Sequence, residues 1–142
     1  MIDMDYYKKH KINEIQAIHL ELMKRATFNN FDGERVVRDL IKNKRLWEGC
    51  LMIRDIGCGF RHHIPPKVDY LNSDLIPLRD MPENYWNVDT LYVIVKKEHL
   101  KKFIKMTRKW AIDDRQILKK EEAEQRLGSY PVKDDIVMLW WD

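Results

Sequence analysis

Two stretches of the chain are apolar at every position: Leu91-Tyr92-Val93-Ile94-Val95 and Ile136-Val137-Met138-Leu139-Trp140-Trp141. A strand with one wet face alternates apolar and polar residues. Unbroken runs rich in β-branched and aromatic side chains read instead as strands covered on both faces. Neighbouring strand residues point to opposite faces, so Trp140 and Trp141 cannot enter the same layer. Either the last strand is central, with cover on both sides, or one of the two indoles lies on an exposed contact surface. Both runs fall well short of the roughly 18 apolar residues of a membrane span, and no membrane association is expected.

Helical periodicity fills the space between the runs. Residues 98–111 form an amphipathic pattern with Leu100, Phe103, Ile104, Thr107 and Ala111 inward. Residues 115–118 read as a short strand or as a break between two helices. Residues 119–127 read as a helix stopped by Gly128, with Pro131 just beyond. Strand, helix and strand in this order suggest a right-handed crossover between parallel strands.

Upstream, residues 12–26 place Ile12, Ile15, Ile18 or His19, Leu22, Met23 and Ala26 on one predicted helical stripe. A second helix is predicted over residues 33–43, capped by Asp32 and burying Val36, Val37, Leu40 and Ile41. The short link between them suggests an antiparallel pair. Residues 50–53 fit a strand or a third short helix. Residues 57–89 hold four of the five prolines and resist assignment: they form a functional loop or a set of short edge strands. The expectation is an α+β fold in a single compact domain, residues 1–142. It has an N-terminal helical pair, a small mixed sheet, and a C-terminal strand-helix-(helix or short strand)-strand unit.

Composition narrows the function classes. The 26 basic and 23 acidic residues give a net charge of only +3, which favours solubility over a polyanionic partner. Two cysteines, Cys50 and Cys58, make no disulfide framework, and acidic residues stand where a signal peptide has basic ones. A cytoplasmic protein is expected. Five tryptophans need a well-packed core, a binding surface, or both.

No phosphate loop, dinucleotide fingerprint, C-x-x-C pair, H-E-x-x-H or nucleophile elbow occurs. Three places remain as candidates. The first is Gly57-Cys58-Gly59-Phe60-Arg61-His62-His63-Ile64-Pro65-Pro66. Arg61 or a protonated histidine there would lower the Cys58 pKa toward a nucleophilic thiolate. A metal reading uses Cys58, His62 or His63, and Asp69. The bland reading is a tight turn whose histidines bond to backbone. The second is the basic face of the helix after the first apolar run, with Lys101, Lys105 and Arg108 as residues for a phosphate backbone, or else a solvated face. The third is the loop Tyr85-Trp86 just before that run, where rigid aromatics anchor a partner or plug the end of the core. Trp141 joins Tyr85 and Trp86 as a candidate partner contact.

With no complete catalytic constellation and no cofactor motif, the leading expectation is a non-enzymatic protein–protein interaction module, accessory or immunity-like. It would act on a protein partner or by self-association through the last strand or the first two helices. The alternatives are an enzyme or metal protein centred on Cys58, His62 and His63, and a nucleic-acid binder using residues 101–109.

Overall fold

The computed structural model describes residues 1–26, 29–54, 78, 88–131 and 133–142. Their elements run α1 (Met4–Lys9), α2 (Glu14–Lys24), α3 (Gly33–Lys42), β1 (Trp47–Ile53), β2 (Thr90–Lys96), α4 (Leu100–Thr107), β3 (Asp114–Ile117), α5 (Lys120–Leu127) and β4 (Asp134–Trp140). Single 3-10 turns, Lys44–Leu46 and Lys97–His99, lead into β1 and α4.

The first three helices start where the sequence supplies a side-chain cap. Asp3, Asn13 and Asp32 accept from the backbone N–H three residues on, at 3.0 to 3.1 Å, which satisfies one orphan donor at each start. At α5 the Glu122 carboxylate reaches back to the Lys119 N–H at 3.1 Å. That helix ends on Gly128, whose φ of 74° only glycine adopts without cost.

The strands form one sheet in the order β1-β2-β4-β3. Every pairing in it is antiparallel, with Tyr92 opposite both Leu51 and Met138, and Leu139 opposite both Leu91 and Arg115. Among the described residues the sheet is therefore antiparallel rather than mixed, and β2 and β4 are not joined by a parallel crossover. Continuous apolar strands report cover on both faces, and this sheet has that cover while remaining antiparallel. The chain between them turns back through β3, which pairs on the far side of β4.

One face carries Met52, Leu91, Val93, Val95, Val137 and Leu139 into the main core with α2, α3 and α4. The other carries Tyr92, Ile136 and Met138 into a smaller core closed by Leu118 and Ala123. Trp140 packs at the edge of this second cluster and Trp141 is buried in the first. The last strand is thus central and covered on both sides, one of the two arrangements its sequence allows.

Trp141 is 0% exposed, stacks edge-on against Phe31 with centroids 4.8 Å apart, and donates its indole N–H to the Trp110 carbonyl at 2.7 Å. It is a core residue, not a partner contact. Trp47 and Trp110 are buried likewise, donating to the Leu40 carbonyl and to the Asp39 carboxylate, each at 2.8 Å. Much of the tryptophan excess is core.

Candidate functional site

The helix α2 has two apolar sides. Ala17, Leu20 and Met23 are buried against the core. Ile15 and Ile18 stand outside it, 80% and 49% exposed, with Leu22 half-buried on the same helical face. Of the stripe predicted to face inward, Ile15, Ile18 and Leu22 therefore lie on the outer side, while His19, the alternative to Ile18, turns in toward β1. The stripe's remaining members, Met23 and Ala26, are buried, and Ile12 packs partly against the core.

The reason lies in what α2 packs against. β1 is an edge strand, and its Cys50 and Met52 N–H groups point away from β2. Gln16 and His19 meet them: the Gln16 Oε1 accepts from Cys50 N at 3.0 Å, and the His19 Nε2 accepts from Met52 N at 2.9 Å. Turning Gln16 and His19 toward the strand fixes the rotation of α2 and leaves Ile15 and Ile18 in solvent. Among the described residues, that edge is met by side chains rather than by another strand.

The end of the stripe is braced from α1. Tyr7 is buried and donates its hydroxyl to the Glu21 carboxylate, which also holds Lys24 at 2.7 Å and Arg25 at 3.4 Å. Burial and the bond to Glu21 push the Tyr7 phenol up to about 12, with Lys24 opposing. Burial alone would raise the Glu21 carboxyl, but its bonds to Lys24, Tyr7 and Arg25 outweigh this and hold it below the usual value. Beside Tyr7, Tyr6 is turned outward at 42% exposure and lies 4.6 Å from the His10 ring, centroid to centroid.

A shallow apolar groove of about 390 Å³ lies on the other side of the sheet, between Leu51, Tyr92 and Ile94 and the segment carrying Leu127, Tyr130 and Pro131.

The other sequence candidates fall as follows. Cys58, Arg61, His62, His63, Asp69, Tyr85 and Trp86 lie outside the described residues. Among the described residues no group of three or more histidine, cysteine or carboxylate side chains is placed to hold a metal. Burial pushes the Cys50 thiol up to about 12, against the weaker opposing effect of the Gln16 amide, and so disfavours the thiolate there. Lys101, Lys105 and Arg108 are all exposed on α4 and its C-cap, opposite buried Phe103 and Thr107. Among the described residues no helix is long and apolar enough to cross a membrane.

Comparison with family models, curated proteins and solved structures finds no match for this chain.

Proposed function

We propose that this chain is a cytosolic, non-enzymatic protein-contact module that docks through the outer stripe of α2. One observation carries the reading: Ile15 and Ile18, two large apolar residues on one face of the helix, stand in solvent. A helix apolar on both sides normally has something on both sides. The partner that fits is an amphipathic helix laid antiparallel to α2. A second copy of the chain meets that description. Glu14 stands in the first turn and exposed Arg25 at the C-cap, so an antiparallel pair sets opposite charges against each other at both ends.

Sedimentation equilibrium tests it. The protein should dimerise reversibly at micromolar concentrations. Replacing Ile15→Glu together with Ile18→Lys should leave a folded monomer whose thermal midpoint matches that of the wild-type chain at concentrations too low for dimerisation, because both substitutes are good helix formers at positions that face solvent in the monomer. A wild-type chain that stays monomeric at every concentration, or a variant that unfolds, defeats the proposal.

A further inference from the structure

The turn from α1 into α2 faces the 3-10 turn Lys44–Leu46 and the start of β1 across a cleft of about 440 Å³. Lys11, Lys44, Arg45 and Lys96 line it, with His10 beside them. Among the described residues the only carboxylate in that lining is Glu48, and it is engaged with the Lys96 ammonium at 3.1 Å. Lys44 donates to the His10 carbonyl, tying the two walls together. Lys11 and Arg45 have no carboxylate partner among the described residues. Three cations from two separate elements thus converge on one concavity without a matching negative charge.

Lys11 adds a second observation. Its φ is 56°, the left-handed conformation in which a helix exit normally carries glycine. A side chain there costs about 1 kcal/mol relative to glycine. The position keeps a lysine on the rim of the cleft against that cost.

We propose that this cleft binds a small soluble ligand carrying two linked phosphate groups. The unmatched cations suit a compact polyanion, since charge-assisted bonds from lysine and arginine to phosphate oxygens are the strong ones. The volume lies in the range of roughly 300–1,000 Å³ common to small-molecule sites. A concave site walled by residues from the α1–α2 turn, α2, the 3-10 turn, β1 and the end of β2 admits a compact ligand more readily than the convex backbone of a duplex. The inference is independent of docking through α2.

The test uses the full chain with inorganic pyrophosphate as probe, by calorimetry and by amide chemical shifts. Saturable one-to-one binding is expected, with shifts confined to residues 10–16, 44–48 and 96. Lys44→Ala with Arg45→Ala should weaken it by about tenfold or more. Lys101→Ala with Lys105→Ala, on the exposed face of α4, should leave it unchanged. Lys11→Gly is the decisive variant: it should lose affinity while its melting temperature holds or rises. Three outcomes overturn the proposal. One is loss of affinity as large from the α4 pair as from the cleft pair. Another is full affinity in Lys11→Gly. The third is binding to duplex DNA, or to vesicles containing phosphatidylinositol bisphosphate, that pyrophosphate does not displace.

Discussion

His19 accepts the Met52 N–H through Nε2, a bond that only the neutral imidazole makes. Burial lowers its pKa below the ordinary value. The unfolded chain therefore takes up the proton first as pH falls. The stability that His19 contributes is complete above the ordinary value of about 6.5 and is lost as pH drops from there through the folded-state value. Melting curves between pH 7 and pH 5 should show the wild type losing more stability than His19→Gln. Glutamine can accept the same bond and does not titrate. Parallel losses in the two proteins would place the acid sensitivity elsewhere. Tyr7 acts at the other end of the scale. With its phenol pushed up to about 12, its contribution is full below the ordinary value of about 10 and is lost as pH rises between the two.

At the scale of elements, the α2–α3 contact turns on Gly33. A Cβ added there would collide with the Met23 carbonyl oxygen and come within 3.1 Å of the Lys24 Cα. Helix propensity alone makes Gly33→Ala favourable by up to about 1 kcal/mol. The colliding group is backbone, which cannot swing aside, so overpacking at about 1–3 kcal/mol should win. Denaturant unfolding should show a net loss, and a neutral or stabilised variant would mean that the helices separate at little cost.

The elements were unequally legible in the sequence. Asp32 and Gly128 marked boundaries because a cap is a local chemical requirement. The short strand at Asp114–Ile117 was visible as a break between helical patterns. The helix Met4–Lys9 was missed: it is six residues long with one buried side chain, too short for a periodicity. The rotation of α2 was misread because its buried stripe begins with Ala17, which carries little hydrophobic weight, while Gln16 and His19 turn inward to satisfy a strand 33 to 34 residues away. No local pattern encodes a backbone donor on another element. The cleft was invisible for the same reason: Lys11, Lys44 and Lys96 are far apart in the chain and meet only through the fold.

For the molecule as a whole, Trp141 is the point where distant parts are fastened. Its N–H donates to the Asp89 carbonyl at 3.0 Å, its carbonyl accepts from the Asn29 amide at 3.0 Å, and its indole holds the Trp110 carbonyl. Phe31 packs on the ring. Trp141→Ala should remove about 3–5 kcal/mol, a large part of the total for a domain of this size. Trp140→Ala, at a half-buried position, should cost clearly less. Equal effects in equilibrium unfolding would contradict the assignment of the two indoles to unequal environments. That two apolar runs made covered strands was legible from the sequence. Their antiparallel pairing was not, because cover on both faces is common to either direction.

The strand order has a consequence for how the protein is made. β4 sits between β2 and β3, yet it is the last of these four to be synthesised, and among the described strands β3 pairs with β4 alone. A nascent chain that has already released every described helix holds, of the described strand pairings, only β1 with β2, and the apolar flank of β2 is bare of β4. Until residues 134–140 clear the ribosome, that flank is bait for chaperones, and closing the gap completes both layers in one step.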